Sequence, residues 1–447
     1  MQVLDNTYKE RLGYARGSLW APFHAVGMVA RIQGDVPTER LQAALHKLQM
    51  LYPPLACRIQ LDEDGSAGLT SEGVEACPLE VHPMVASDDW AKLFLEQERI
   101  PFAFDRGPIG RFFLLRGKDT SDLMAIAPHV ICDGYAMSHV ITDAVALLND
   151  PQRTVVPPTP SPAINWQAAS HSPFDHLLLR GAIQVINCLW PSKLRSMDQK
   201  SYEQVHHIYW SDRRNSLLAF ELSPAETADL LARCRQRGVT VNSALVAAFL
   251  QALADARSNG QPPICDITVA VNIRNRLIQP PGRVLVICAS NLNLTICPGA
   301  AASVWELTHR VHNRIHRFLN DRSRPLWPLA LGELKPAITD RMLAALSTGR
   351  LEKKLGWLAR FVKIGGMHPN LDVSNIGRLD LPEMDGPFRL QTILPLPPLA
   401  PGGGLALNVL TVNNQMNVIV KYRLDQLDGN QASTIRDMAL SYLSVNA

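Results

Sequence analysis

The chain has 447 residues, of which 47% are hydrophobic and 19% are charged. This length exceeds what one hydrophobic core usually organises, so we expect two domains or two large subdomains. The formal net charge of +3 is close to neutral for this size and gives no reason to expect a nucleic-acid partner.

The first 155 residues predict a unit of alternating strands and helices. Residues 23–33 have the composition of a strand, and apolar residues at helical spacing then predict a helix that ends at Pro53 and Pro54. The further elements expected here are strands over 55–61, 109–117 and 122–131 and helices over 88–100 and 138–148. We assign this α+β unit to residues 1–155.

Residues 156–210 begin with a stretch rich in proline, serine and threonine, which indicates a linker or a surface crossing. Residues 211–447 then repeat the same kind of unit. Ser223, Pro224 and Glu226 predict a capped helix start within the strand and helix of 213–238. The remaining expected elements are helices over 240–257, 301–321 and 428–443, strands over 264–274 and 284–297, and a hairpin that turns at Asn413 and Asn414.

The eight cysteines include no C-x-x-C pair and no zinc spacing, and most lie in apolar runs such as "LVICASNLNLTIC". Free cysteine in such a run behaves as a small buried hydrophobe, so we expect a reduced, cytoplasmic protein. The N-terminal "MQVLDNTYKERLGY" carries charges where a signal peptide needs an apolar core. The longest apolar helical stretch, "SALVAAFLQALA", is too short to span a bilayer.

Several well-known catalytic motifs are absent from the sequence, including the G-x-S-x-G elbow, the Walker A loop and G-x-G-x-x-G. His312 and His316 have the i, i+4 spacing of a helical zinc pair. However, Asn313 stands where that motif has glutamate, and neighbouring arginines would repel a cation, so we expect no metal site.

Arg310, Arg314 and Arg317 share one face of the same predicted helix. Guanidinium groups in such a row are suited to the phosphates of coenzyme A or to acidic residues of a carrier protein. The competing interpretation is an ordinary solvated helix face.

The segment "PHVICDG", residues 128–134, is the strongest candidate for chemistry. It places His129 at the expected end of a strand, Asp133 four residues later, and Gly134 where the chain must turn. A six-residue pattern such as H-x-x-x-D-G, with only three fixed positions, occurs by chance in many proteins. From this segment alone, a structural histidine and a catalytic base both remain open.

This segment resembles the H-H-x-x-x-D-G motif of the acyltransferase superfamily that includes chloramphenicol acetyltransferase. The closest likeness is to the condensation domains of nonribosomal peptide synthetases and to free-standing polyketide-associated and alcohol acyltransferases. Other stretches resemble the family in the same order along the chain, namely 41–59, 100–117, 238–253, 267–277, the "VSNIGRLDLP" of 373–382, and 405–427. The resemblance thus covers nearly the whole chain and is weakest over 155–210.

The resemblance implies an α/β fold of α+β layers, in which two chloramphenicol acetyltransferase-like subdomains meet in a V around an active-site tunnel. It implies an acyltransferase or condensation enzyme of polyketide, nonribosomal-peptide or other natural-product biosynthesis. No bound cofactor is expected. The acyl group would come in trans from a thioester co-substrate, either acyl-CoA or a phosphopantetheinyl carrier protein, and pass to a small-molecule alcohol or amine.

Carried over residue by residue, the resemblance makes His129 the general base that takes a proton from the acceptor. Asp133 is expected to point away from the substrate and pair with Arg274, which fixes the loop. Gly134 is expected to begin a helix with its N–H near the developing oxyanion. Because a thiol has a pKa of about 8.5, the thiolate leaves readily and no acyl-enzyme is required.

Four further residues are expected to line the tunnel, namely Ser374, Asn375, Cys132 and Pro128. Pro128 departs from the family pattern because it replaces the first histidine of the motif. Proline favours an extended conformation in the residue before it, which suits a strand end, but it removes a polar side chain beside the site. Cys132 also admits a Cys-His nucleophile, although nothing in the sequence supplies the electropositive setting that a thiolate needs.

Two other functions compete with acyl transfer. One is a non-catalytic member of the fold that only binds a carrier protein or another partner. The retained His129 argues against it, because such a module has no need of a base. The other is an enzyme that uses the same tunnel for cyclisation or rearrangement of a bound intermediate, an alternative that Pro128 keeps open.

Overall fold

A computed structural model of the chain describes residues 7–159, 163–165, 177–190, 195–257, 265–300, 303–321, 324–350, 370–381 and 386–444. The strands of this part are, in chain order, β1 (Lys9–Arg11), β2 (Ala25–Gln33), β3 (Arg58–Leu61), β4 (Ala67–Thr70), β5 (Leu79–Pro83), β6 (Arg111–Arg116), β7 (Thr120–Pro128), β8 (Asn215–Leu222), β9 (Asp266–Asn272), β10 (Ala289–Thr295), β11 (Leu371–Leu379), β12 (Arg389–Leu396), β13 (Leu405–Val412) and β14 (Gln415–Arg423). Its α-helices are α1 (Thr38–Leu51), α2 (Asp89–Gln97), α3 (Gly134–Asn149), α4 (Leu177–Leu189), α5 (Gln199–Ser211), α6 (Pro224–Gln236), α7 (Val241–Asp255), α8 (Val304–Asn320), α9 (Trp327–Leu331), α10 (Pro336–Thr348) and α11 (Gly429–Ser444).

The N-terminal half is built on a five-stranded sheet with the order β12-β2-β7-β6-β5. The central strand β7 is buried along nearly its whole length because it has neighbours on both edges and packs against α3. Its apolar run therefore lacks the alternation typical of a half-exposed strand. Helix α1 packs beside α3, and together they cover the sheet. A small sheet of β1, β4 and β3 completes this half.

The C-terminal half is built on a six-stranded sheet with the order β10-β9-β11-β13-β14-β8. Helices α7, α8 and α11 pack together on one face of this sheet and share its core. Helix α7 is apolar on most sides, as expected for a helix buried between a sheet and two other helices. The opposite face contributes Leu410, Val412 and Ile419 to the hydrophobic core of the N-terminal half.

The two halves also share a strand, because β12 pairs antiparallel with β2 of the N-terminal sheet. The prediction placed all of residues 211–447 in the C-terminal subdomain, and the strand pairing corrects that assignment for residues 389–396. Helices α4 and α5 lie within the predicted linker of 156–210, so the segment is not a simple linker. Residues 160–162, 166–176 and 191–194 of it lie outside the described part.

Two local predictions are confirmed in detail. Asn413 and Asn414 both adopt positive φ angles, of 51° and 64°, as a two-residue hairpin turn requires. Ser223 and Glu226 form the reciprocal hydrogen bonds of a capping box at the start of α6.

One cysteine pair contradicts the expected reduced state. Cys265 and Cys297 form a disulfide with Cα atoms 4.5 Å apart, whereas Cys57, Cys77, Cys132, Cys188, Cys234 and Cys288 are free. The paired cysteines flank β9 and β10, whose last register pair is Asp266 with Thr295. Strand pairing thus brings together two cysteines that share no motif in the sequence.

Among the helices described, no single one has the length and apolar character to cross a bilayer. Taken together, α6 and α7 are long and apolar enough to cross a bilayer, but the pair is bent by 98°; no other pair of helices in the described part of the chain has this length and composition.

Candidate active site

The motif loop lies between β7, which ends at Pro128, and α3, which begins at Gly134. The N–H of His129 donates a hydrogen bond of 2.8 Å to the carbonyl of His24, which extends the pairing of β7 with β2 by one residue. His129 is therefore held at the end of a central strand and is half-buried.

The imidazole of His129 is oriented by its own loop. Its Nδ1 lies 2.6 Å from the carbonyl oxygen of Cys132. Since a carbonyl oxygen only accepts, Nδ1 must carry the proton, and the neutral ring keeps its lone pair on Nε2. No described residue makes a hydrogen bond to Nε2, so this nitrogen has the arrangement that a proton acceptor needs.

Asp133 is fully engaged in structural contacts. Its Oδ1 caps α3 by accepting from the N–H of Ala136 at 2.9 Å, and its Oδ2 accepts from the N–H of Cys288 at 2.8 Å. Arg274 donates to both oxygens, at 2.8 and 3.0 Å, in the ion pair expected from the sequence. Burial alone would lower the pKa of Arg274, but the charge and hydrogen bonds of Asp133 raise it above its ordinary value. The carboxylate is thus committed to fixing the loop.

Residues 273–288, which connect β9 to β10, reach from the C-terminal half across the motif loop. Besides Arg274, this crossing segment contributes Arg283, which pairs with Asp143 of α3 at 3.0 Å. The hydroxyl of Tyr14 donates to the carbonyl of Ile287 at 3.1 Å. The crossing segment therefore ties the start and the middle of α3, together with the N-terminal segment, to the other half.

Gly134 packs closely against Ile376. A Cβ placed on it would lie 2.8 Å from Cδ1 of Ile376 on β11, which is closer than side chains pack. The start of α3 and strand β11 of the C-terminal half thus meet at this glycine.

The predicted wall residues Ser374 and Asn375 lie on β11, two positions and one position before Ile376. Ser374 is paired in register with Asn408, so both side chains are on the same face of the sheet. The neighbouring Val409 points to the other face, into the core of the C-terminal half. The side-chain carbonyl of Asn375 accepts from the N–H of Gly377 at a bulge, so part of this amide is used locally. Residue 382, the last of the predicted segment 373–382, lies outside the described part.

Two predicted wall residues are buried, and the assignment of one of them, Cys132, to the tunnel is wrong. Cys132 has no exposed surface, and its thiol points back to the carbonyl of Pro128 at 3.6 Å. Burial, together with the nearby Asp133 charge, raises the pKa of Cys132 well above its ordinary value, which disfavours a thiolate nucleophile. Pro128 is buried as well. Pairing of β6 with β7 has already ended at Ile126, so the ladder does not need the N–H that proline lacks.

Arg310, Arg314 and Arg317 lie on α8, which packs on the outer face of the C-terminal sheet. Arg314 and Arg317 are exposed, and Arg310 donates weakly to the carbonyl of Cys297 at 3.4 Å. The face of the sheet that meets the N-terminal half is the opposite one, so these arginines do not belong to the surroundings of His129.

His24 is a residue of the site that the sequence analysis missed. Its ring centroid lies 5.4 Å from that of His129, with an angle of 65° between the ring planes. Burial, followed by the proximity of His129, holds the pKa of His24 well below its ordinary value. The only local sequence signal is a histidine at the beginning of a predicted strand.

A cavity of about 1530 Å³ lies apart from this site, between the N-terminal segment and α10. Tyr14, Arg16, Trp190 and Lys335 are among its lining residues, and none of the described lining residues belongs to the motif loop.

Comparison with known proteins assigns the fold. A family model described as the C-terminus of phthiocerol/phthiodiolone dimycocerosyl transferase matches residues 212–334. The search of curated sequences finds no match to the chain. Solved structures, in contrast, match it over nearly its whole length.

One of these structures is the trichothecene 15-O-acetyltransferase TRI3 from Fusarium sporotrichioides, with 12% identity, 98% of this chain and 94% of that chain covered, and a TM-score of 0.66. Polyketide synthase associated protein 5 from Mycobacterium tuberculosis matches with 13% identity, 97% of each chain covered and a TM-score of 0.58. The first condensation domain of the CDA synthetase matches with 14% identity, 98% and 97% coverage and a TM-score of 0.57. An epimerization domain and a cyclization-docking bidomain of peptide synthetases also match. The chain therefore has the two-lobed fold of condensation domains and chloramphenicol acetyltransferase-like acyltransferases, and its residues 212–334 are similar to the C-terminus of phthiocerol/phthiodiolone dimycocerosyl transferase.

Proposed function

We propose that the protein transfers an acyl group from a thioester donor to a hydroxyl or amine of a small-molecule acceptor, with His129 as the general base. The observation that carries this proposal is the hydrogen bond of 2.6 Å between Nδ1 of His129 and the carbonyl of Cys132. It leaves Nε2 as the basic nitrogen, at a seam between two halves that share a core.

In the proposed reaction, Nε2 of His129 takes the proton from the acceptor as its oxygen or nitrogen attacks the thioester carbonyl. The new C–O or C–N bond forms and the C–S bond breaks. The proton then passes from His129 to the departing sulfur, which yields a free thiol. The N–H of Gly134, at the positive end of α3, is the proposed partner of the developing oxyanion.

Two groups of residues are proposed to contact the substrates. Ser374 would line the tunnel on the β11 side of His129, whereas Asn375, in register with Val409 on the other face of the sheet, would hold the bulge beside it. Arg314 and Arg317, exposed on α8, would meet an acidic carrier protein or the phosphates of coenzyme A at the outer surface. If so, reversing both arginine charges raises the KM for the donor in a salt-dependent way and leaves kcat unchanged.

The test incubates the protein with panels of acyl-CoA and acyl-carrier donors, each mixed with alcohols and amines, and follows products and free thiol by mass spectrometry. We expect His129→Ala to lower the rate by about 10²- to 10⁴-fold, the usual contribution of a general base. An alanine variant that forms product as fast as the wild type would rule out His129 as the base.

A second candidate is epimerisation or cyclisation of a carrier-bound intermediate, since domains named for these reactions share the fold. Such a reaction would appear in the same assay as a changed donor with no free thiol and no acceptor adduct.

A further inference from the structure

His24 and His129 face each other across the pairing of β2 with β7. Ala25 is in register with Pro128, and the N–H of His129 donates to the carbonyl of His24, so the two histidines are opposite residues of an antiparallel pair. Opposite residues project their side chains to the same face of a sheet. The separation of 5.4 Å between the ring centroids is that of an edge-to-face contact.

The segment that carries His24 is held firmly. Phe23 packs edge-to-face against the His24 ring, with 4.4 Å between centroids. The indole N–H of Trp210 donates to the carbonyl of Pro22 at 3.0 Å, and Phe23 belongs to a small buried cluster with Trp210. The ring of His24 therefore contacts two aromatic rings, those of Phe23 and His129, and one of them is anchored in a buried cluster.

His24 is also built to remain uncharged. Its Nδ1 is buried and has no hydrogen-bond partner among the described residues, so protonating both nitrogens would leave a buried N–H unsatisfied. His129 is the ionisable group whose charge acts on His24 and opposes its protonation, while the carbonyl of Ser18 acts weakly in the opposite direction. A neutral ring beside His129 does not repel the positive charge that His129 gains when it accepts a proton.

We propose that His24 is a positioning residue for the proposed acyl transfer, holding the His129 ring from one side while the carbonyl of Cys132 holds it at Nδ1. This inference rests on the proposed function. The family motif has two adjacent histidines, and Pro128 replaces the first of them. His24, next to β2, gives the site a second imidazole from the neighbouring strand. The contact fixes the ring so that Nε2 points to the acceptor.

The test compares His24→Ala with His24→Phe, which keeps an aromatic ring against His129 but cannot titrate. We expect His24→Ala to lower kcat by about 10- to 100-fold with little change in KM, the usual effect of misplacing a reacting group by about 1 Å. We expect His24→Phe to restore kcat to within about threefold of the wild type, since the edge-to-face contact remains. His207→Ala, on the exposed face of α5, is the control and should have no effect.

A second measurement does not depend on turnover. In protein labelled with ¹⁵N-histidine, the His129 signals, assigned through their loss in His129→Ala, should report one tautomer protonated at Nδ1. His24→Ala should convert them to a mixture, and His24→Phe should retain the single tautomer.

If His24→Ala is as active as the wild type while His129→Ala is inactive, the proposed function stands and the role of His24 is overturned. If no donor gives product with the wild type, the proposed function fails, and an unchanged tautomer in His24→Ala then overturns the role of His24 separately.

Discussion

Arg274 and Asp133 join the two halves of the molecule at the motif loop. Their bidentate ion pair, at 2.8 and 3.0 Å, is buried, with only 8% and 7% of the two side chains exposed. The same carboxylate caps α3 and accepts from the backbone of Cys288. One side chain thus fixes the helix start, the crossing segment and the loop that carries His129.

We expect Asp133→Asn to lower the free energy of unfolding by about 3–5 kcal/mol, because it leaves the guanidinium of Arg274 buried without its counter-charge. Urea unfolding followed by circular dichroism measures this loss. The matched control is Asp380→Asn, which removes the exposed pair of Arg378 and Asp380 and should cost less than about 1 kcal/mol. If Arg274→Met combined with Asp133→Asn is no more stable than Asp133→Asn alone, the loss does not come from an unpaired charge.

Gly134→Ala should destabilise the protein by about 1–3 kcal/mol through overpacking, since the added methyl group meets the side chain of Ile376. Shortening that side chain should relieve the strain, so Gly134→Ala with Ile376→Val should recover part of the loss. Thermal unfolding of the two single variants and the double variant measures the coupling. Gly181→Ala on α4 is the control, because a Cβ there meets nothing within 4 Å. Strictly additive effects at residues 134 and 376 would contradict the contact.

Asp372 should make stability depend on pH. Burial raises the pKa of its carboxyl to about 7 from the ordinary value of 3.8. A raised pKa means that the folded state binds the proton more tightly than the unfolded state. The stabilising contribution is therefore fully present below about pH 4 and is lost as the pH rises through 7.

Asp372→Asn should then stabilise the protein by at least about 1 kcal/mol more at pH 8 than at pH 5, because asparagine carries no charge to bury. Unfolding curves of the variant and the wild type at the two pH values give this difference. The exposed Asp380→Asn should show no such dependence. An equal effect of Asp372→Asn at both pH values would mean that the carboxylate is already ionised at pH 5.

The part of the site that could be predicted from sequence is the part that is local in the chain. The order of residues 128–134 already separates His129 from Asp133 and places Gly134 at a helix start. Arg274 could be named because residues 267–277 resemble the family segment that carries an arginine. Both the arrangement of the loop and the pair of Asp133 and Arg274 thus follow from short motifs that stand in the right order along the chain.

The remaining contacts depend on which strands pair and in what register, and the sequence does not encode this locally. His24 reaches His129 only because β2 pairs with β7 at the register of Ala25 and Pro128. Strand β12 lies between β11 and β13 in the chain, both of the C-terminal sheet, and its sequence does not mark its exchange into the N-terminal sheet. Cys132 was expected to line the tunnel because of its distance along the chain from His129, but the turn of the loop buries its thiol.

The disulfide is a further consequence of strand register. Cys265 precedes β9 and Cys297 follows β10, so closing the bond constrains 32 residues of chain in the unfolded state. In the chain-entropy treatment, such a loop contributes about 3–4 kcal/mol to the free energy of unfolding. Alkylation without reductant, followed by mass spectrometry, should find two fewer modified cysteines than the eight in the sequence.

Dithiothreitol should therefore lower the melting temperature of the wild type, and Cys265→Ser with Cys297→Ser should show the same lowered value with or without the reductant. Cys188→Ser, which removes an exposed free thiol, should leave the response to dithiothreitol unchanged. Eight alkylated cysteines in unreduced protein would show that the bond does not form. The hydrogen-bonded register of β9 and β10 would then hold Cys265 and Cys297 together as free thiols, because the pairing does not depend on the bond.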